Sequence, residues 1–164
     1  MDRKGLRNGF VAAGLSLLGV AAAWASPFFV ETLPVAMPAA QKAVDRALVR
    51  HHFKVVMTID ILHRIEAKQK ILHIPHFNRP GFTDVRALVF CNPVLFSGLL
   101  NHAWKAASVC PLNVTLYSKG AKTTIVFPKR APYTRATRAR AVGRRIDRMV
   151  IQSLKSIPGG HPGQ

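Results

Sequence analysis

Residues 85–93, VRALVFCNP, combine a buried strand with the start of a helix. The run from Ala87 to Phe90 is entirely apolar, which is typical of a central strand that is covered on both faces. Asn92 is a favoured N-cap residue and Pro93 suits the first helical position, so a helix is expected to begin at this point. We expect the other elements of the chain to pack around this strand and turn.

Hydrophobic periodicity predicts the flanking elements. Apolar residues spaced by three and four predict helices, whereas strict alternation predicts strands. Helices are expected over residues 39–51, 62–72, 93–102 and 134–157, and strands over residues 53–61, 85–91, 112–117 and 122–127. The order α-β-α-β-α-β-β-α indicates an α+β fold, a two-layer sandwich in which helices pack on a four-stranded mixed sheet.

Composition divides the chain into an arm, a domain, a basic helix and a tail. Residues 26–38 contain three prolines and no period, which predicts an extended arm before an α+β domain over residues 39–128. Residues 129–157 are expected to add a basic amphipathic helix. The glycine-rich and proline-rich residues 158–164 predict a flexible tail.

Residues 1–25 have the three parts of a secretory signal peptide. Basic residues come first, an uncharged apolar stretch follows over residues 10–23, and residues 23–25 (AWA) form a small-x-small cleavage signal. An uncleaved membrane anchor is the alternative, because no charge occurs between Arg7 and Glu31. Both alternatives predict export, to a periplasmic or extracellular location.

The chain is strongly basic, with 24 Lys and Arg residues against 7 Asp and Glu residues and a formal net charge of +17. Nucleic acid is the usual partner of a basic protein, but an exported protein rarely meets it, so no nucleic-acid partner is expected. An acidic protein partner or an anionic membrane surface fits better. The predicted contact residues on the last helix are Arg140, Arg144, Arg145, Arg148 and Lys155.

Cys91 stands at the end of a strand and just before a helix N-terminus, where a thiolate is favoured. It is interpreted as a soft metal ligand, as a redox thiol, or as a small buried residue that fills the turn. A disulfide between Cys91 and Cys110 is a further alternative. It requires antiparallel strands, because parallel strands would place the two cysteines at opposite ends of the sheet.

Histidine and thioether side chains suggest a copper or haem site around Cys91, since imidazole, thiolate and thioether suit such metals. The candidate ligands are His73, His76, His102 and Met57. Their spacing matches no known metal motif, and surface histidines are the alternative. Asp60 is the acid candidate, and its alternative role is to cap the helix that follows it.

Enzyme signatures are missing from the sequence, which has no GxSxG, HExxH or phosphate-loop motif. The few carboxylates are scattered, and no pair is placed for acid–base chemistry. The favoured function is therefore an exported small binding or accessory domain, rather than an enzyme. A metal or redox protein and a cationic docking module are the two alternatives.

The opening stretch also carries a family resemblance. VRALVFCNP, followed by PLNVTLYSKG (residues 111–120) and TTIVFP (residues 123–128), resembles the uncharacterised bacterial family known as domain of unknown function 302. Residues 53–60 look like the family's strand that ends in Ile-Asp. The resemblance covers about residues 43–127. It implies a compact α+β domain, often exported and often a homodimer, with no established activity.

Two features depart from the family's pattern. The family often has a histidine directly after the Ile-Asp pair, where this chain has Ile61. The family's C-terminus is usually shorter and less basic than residues 134–157. The basic helix must therefore be explained from this chain alone.

Overall fold

An antiparallel sheet of six strands forms the centre of the molecule in the computed structural model, which describes residues 26–163. The strands are β1 (Phe28–Leu33), β2 (Lys54–Asp60), β3 (Asp84–Cys91), β4 (Leu112–Lys119), β5 (Lys122–Pro128) and β6 (His161–Pro162). Their spatial order is β2-β3-β4-β5-β1-β6, and every neighbouring pair is antiparallel. The predicted central strand is thus β3, which pairs with a strand on each side.

Helices cover both faces of this sheet unequally. They are α1 (Met37–Arg50), α2 (Ile61–Glu66), α3 (Pro93–His102), α4 (Ala131–Thr134) and α5 (Arg140–Lys155), with a 3₁₀ helix at Trp104–Val109. α1, α3 and α5 form a layer on one face of the sheet, in which α5 contacts both α1 and α3. On the opposite face, α2 and the loop before β3 cover only the region around Val85 and Tyr117.

The core lies between the sheet and the helices α1, α3 and α5. Leu88, Val114 and Ile125 face the helices from three successive strands, and none of them is exposed. The helices contribute completely buried side chains such as Leu48 and Ile146. Removing one such side chain from water contributes about 1.5–3 kcal/mol to stability, so this layer is the main source of the fold's stability.

The α+β class is confirmed, whereas the predicted four-stranded mixed sheet is wrong. The two missed strands are β1 and β6. In β1, the inward-facing residues are Phe29, Glu31 and Leu33, so an acid interrupts the apolar alternation that identifies a strand. β6 has two residues, one of them a proline, and its pairing with β1 gives no sequence pattern.

The sheet is antiparallel because the connection between β3 and β4 doubles back. α3 and the 3₁₀ helix pack against each other, so the chain leaves the sheet and returns to the same end. The register pairs Phe90, near the end of β3, with Leu112, at the start of β4. A single straight helix would have carried the chain to the other end and made the strands parallel.

The basic helix predicted over residues 134–157 is shorter: it corresponds to α5, Arg140–Lys155, and a separate short helix, α4, ends where the prediction began. α4 ends at Thr134 and α5 begins at Arg140, so the chain turns between them. The Asp147 carboxylate of α5 accepts hydrogen bonds from the backbone N–H groups of Arg130 (2.6 Å) and Ala131 (2.9 Å). These bonds hold the start of α4 against α5, which a continuous helix would not allow.

Gly143 of α5 provides a test of how α4 packs. A Cβ atom at this position would lie 2.9 Å from Thr134 Cβ and would collide with Thr134 Oγ1. We expect Gly143→Ala to lower the free energy of unfolding by about 1–3 kcal/mol, because overpacking outweighs the roughly 1 kcal/mol gain in helix propensity. Urea unfolding followed by circular dichroism measures the change.

Gly98→Ala in α3 is the matched control. Its added Cβ would meet Val142 Cγ1 at 3.4 Å, an ordinary contact, so the variant should be as stable as the wild type or more stable. Equal effects of the two substitutions would contradict the packing of α4 on α5.

Candidate functional site

The predicted metal ligands lie at different ends of the sheet. His73 and His76 belong to the loop that precedes β3, whereas Cys91 ends that strand. An eight-residue strand spans roughly 23 Å, so the imidazoles and the thiol are far apart. Within residues 26–163, no three His, Cys, Asp or Glu side chains are grouped closely enough to hold a metal ion. The structure therefore does not assemble the predicted copper or haem site.

The other two predicted ligands are also separate. Met57 lies in the middle of β2 with 56% of its surface exposed. His102 ends α3, and its Nδ1 atom lies 2.8 Å from the carbonyl oxygen of Gly98.

Asp60 and Asn92 act as helix caps. Asp60 Oδ1 accepts a hydrogen bond from the backbone N–H of His63 (3.1 Å) at the start of α2. Asn92 Oδ1 accepts from the backbone N–H of Leu95 (3.0 Å), and Pro93 follows at the first helical position as predicted. Both side chains therefore have a complete structural role. For Asp60, capping α2 is the alternative to its predicted role as a functional acid.

The antiparallel strands bring the two cysteines to the same end of the sheet. Both thiols are free and half-buried. The pKa of Cys110 is raised to about 11, mainly by burial and also by the negative charge of a Cys91 thiolate, while the nearby Arg130 acts in the opposite direction. Cys110 is therefore a neutral thiol at physiological pH.

The basic residues of α5 are all on its exposed side: Arg140, Arg144, Arg145, Arg148 and Lys155. The surface for an acidic partner or an anionic membrane is thus available, and its use stays a prediction, as does the homodimer. The predicted signal peptide lies outside the described residues. Within residues 26–163, no helix has the length and apolar character needed to span a membrane.

A cavity of about 590 Å³, called here the β1 cavity, opens where β1, the last turn of α5 and the C-terminal tail meet. Phe29 and Ile151 provide apolar walls. Its polar lining residues are Glu31, Lys129, Lys155 and His161. Of these residues, only Lys155 was predicted to be functional, as part of a partner surface, because the cavity is assembled from three distant segments.

Glu31 is the most unusual residue of the β1 cavity. Only 5% of its surface is exposed, and within residues 26–163 it accepts no hydrogen bond and forms no salt bridge. Burial raises the pKa of Glu31, while Lys155 and His161 act in the opposite direction. The Glu31 carboxylate oxygens are not sealed from the cavity, so a donor on a ligand can reach them and supply the missing hydrogen bond.

The tail closes the cavity from the outside. β6 pairs with β1 through Glu31 and Pro162, and the backbone N–H of Gly163 donates to the carbonyl of Val30 (3.1 Å). Gly160 lies directly on the Glu31 carboxylate, since a Cβ at that position would collide with Glu31 Oε1. A side chain at position 160 would therefore displace the Glu31 carboxylate from its present position.

The raised pKa of Cys110 predicts slow alkylation. The thiolate is the nucleophile, so Cys110 should react with iodoacetamide at pH 8 at least ten times more slowly than a free cysteine with its ordinary pKa. The Cys91→Ser variant isolates Cys110, and mass spectrometry of the alkylated protein measures the rate. Reaction at the rate of a free cysteine would contradict the burial of this thiol.

Ionisation of Glu31 predicts a pH-dependent stability. The folded state raises the pKa of the Glu31 carboxyl above its ordinary value of 4.5. The protonated side chain therefore stabilises the fold at pH values below 4.5. This contribution is lost as the pH rises through the raised pKa. Glu31→Gln cannot ionise, so its stability relative to the wild type should increase between pH 4 and pH 7. Urea unfolding at both pH values measures this difference, and a pH-independent difference would contradict it.

Comparison with known proteins supports the fold. The chain is similar to the crystal structure of an uncharacterized conserved protein, DUF302, from Bacillus stearothermophilus, with a TM-score of 0.69 and 16% sequence identity. The alignment covers 81% of this chain and 99% of that one. No curated protein matches the chain.

A family model confirms the resemblance found in the sequence. The model described as domain of unknown function DUF302 matches residues 29–153, from β1 into α5. This match includes both the VRALVFCNP stretch and the strand that carries Glu31. The chain therefore belongs to the DUF302 family.

Proposed function

We propose that the protein is a small binding domain and that its ligand occupies the β1 cavity. The ligand is an amphipathic zwitterion, such as an amino acid with an apolar side chain. The observation that carries this proposal is the unpartnered, buried carboxylate of Glu31 beside the basic residues Lys129 and Lys155.

The size and lining of the β1 cavity are those of a small-molecule site. Such sites have volumes of about 300–1,000 Å³, apolar walls and a few polar groups that orient the ligand. The β1 cavity has a volume of about 590 Å³, and its apolar surface comes from residues such as Phe29 and Ile151. An apolar side chain of the ligand would rest against these residues.

The polar groups select opposite charges at two points. Glu31 lacks a donor, which an ammonium group supplies with a charge-assisted hydrogen bond. Lys129 is held in place because its Nζ donates to the carbonyl of Ser26 (2.8 Å), and together with Lys155 it can pair with a carboxylate. A ligand that carries both groups satisfies all three side chains.

Ligands with a single charge fit less well. A cationic ligand would be repelled by the lysines and by a chain of formal net charge +17. An anionic ligand would meet the Glu31 carboxylate, whose charge would remain uncompensated by any donor. Electrostatics therefore favours the zwitterion over both.

The test is a titration of ¹⁵N-labelled protein at pH 7.5 with L-phenylalanine, 3-phenylpropionate and phenethylamine. L-Phenylalanine should shift the amide signals of Ile151 and Gly160 in a saturable manner and bind more tightly than the two analogues that lack one charged group. Glu31→Gln should weaken its binding by about tenfold or more, because a hydrogen bond to a charged group is lost.

Glu66→Gln is the matched control, since Glu66 is an exposed acid on α2, remote from the cavity. It should bind L-phenylalanine as the wild type does. Absence of saturable shifts with any of the three compounds, or equal weakening in both variants, would refute the proposed ligand class.

A further inference from the structure

We infer that the protein has a second site, which binds a small oxyanion through the guanidinium of Arg130. The site is a cavity of about 410 Å³ at the start of β4, called here the Arg130 cavity. Besides Arg130, it is lined by Asn113, Tyr133 and Ser108, with Val109 and Pro111 as apolar walls. It shares no lining residue with the β1 cavity.

Arg130 is a buried cation with unused donors. Only 7% of its surface is exposed. Its Nη1 donates to the carbonyl of Pro128 (2.9 Å) and its Nη2 to Asn113 Oδ1 (2.9 Å), while its buried Nε has no partner in the described part of the chain. A guanidinium has five N–H donors, so besides the enclosed Nε–H, one N–H on Nη1 and one on Nη2 are left for a ligand.

The charge of Arg130 is only partly compensated, by its electrostatic attraction to Asp147. Asp147 is the nearest acid, but its two carboxylate oxygens accept from the backbone N–H groups of Arg130 and Ala131. Within residues 26–163, the salt bridge between Arg86 and Asp84 is the only one, so Asp147 does not pair with the guanidinium. A buried cation without an anion is costly, and a bound oxyanion removes that cost.

The geometry around Arg130 orients it for such a ligand. The guanidinium carbon lies 5.7 Å from the centre of the Phe127 ring, and the two hydrogen bonds that the guanidinium donates fix its plane. The Asn113 side-chain amide, whose oxygen already accepts from Arg130, has N–H donors available. The hydroxyl of Tyr133, an exposed residue at the rim, adds another donor.

The guanidinium, the Asn113 amide and the Tyr133 hydroxyl each offer N–H or O–H donors to the cavity, which favours an anion. Planar carboxylates and tetrahedral phosphates both match the edge of a guanidinium with two parallel hydrogen bonds. The Arg130 cavity therefore fits a small oxyanion of either shape. Titration with a carboxylate and with a phosphate distinguishes the two.

The test follows the Nε–H signal of Arg130 in ¹⁵N-labelled protein during titration with sodium phosphate and with sodium acetate. Sodium chloride at the same ionic strength is the reference, and Arg130→Lys identifies the signal by its loss. A saturable shift with phosphate or acetate, absent with chloride, is the expected result. The tighter of the two anions identifies the ligand as a phosphate or a carboxylate.

Asn113→Asp tests the site without removing the hydrogen bond to Arg130. The new carboxylate still accepts from Nη2 and pairs with the cation, so the urea midpoint should be no lower than that of the wild type. It also competes with the ligand, and anion binding should weaken by about tenfold or more. Tyr133→Phe, at an exposed residue, should weaken it by about twofold to tenfold.

Asn101→Asp is the matched control, because it makes the same change of charge at an exposed position of α3. It should leave anion binding unchanged. An Nε–H signal that responds to phosphate and acetate no more than to chloride would overturn the inference, as would equal weakening by Asn113→Asp and Asn101→Asp. Failure of L-phenylalanine to bind in the β1 cavity would leave this result unaffected.

Discussion

The two hydrogen bonds that Asp147 accepts from the backbone at Arg130 and Ala131 determine the arrangement of the C-terminal third of the molecule. They turn the chain directly after β5 and hold α4 against α5. As a result, the apolar side of α5 covers the sheet, Lys129 reaches the β1 cavity and Arg130 is buried in its own cavity. One carboxylate thus connects the core with both candidate sites.

The buried charges of the protein contrast with its surface. Basic side chains crowd the exposed side of α5, where water screens them and each contributes little to stability. Glu31 and Arg130 are nearly inaccessible and form no salt bridge within the described residues, so burial disfavours the charge of each more than it does at the surface. The two proposed ligand sites therefore lie at these buried charges rather than at the many solvated ones.

Local signals allowed much of the fold to be predicted. Asn92 and Pro93 act through residues that are adjacent in sequence, so their roles as cap and first helical residue could be predicted. Whether Cys91 and Cys110 share one end of the sheet depended on how α3 packs on the 3₁₀ helix, which no local pattern encodes. Arg130 is one of 24 Lys and Arg residues, and only tertiary contacts distinguish it from the rest.

The C-terminal tail also affects how copies of the protein meet one another. An open edge of a sheet is a template for strand addition and aggregation. β6 covers the outer edge of β1 with only two residues, and its proline has no N–H to offer an approaching strand. At the other edge, β2 carries a bulge between Val55 and Met57 that interrupts a regular ladder. The same tail that encloses Glu31 therefore protects the sheet from edge-to-edge association.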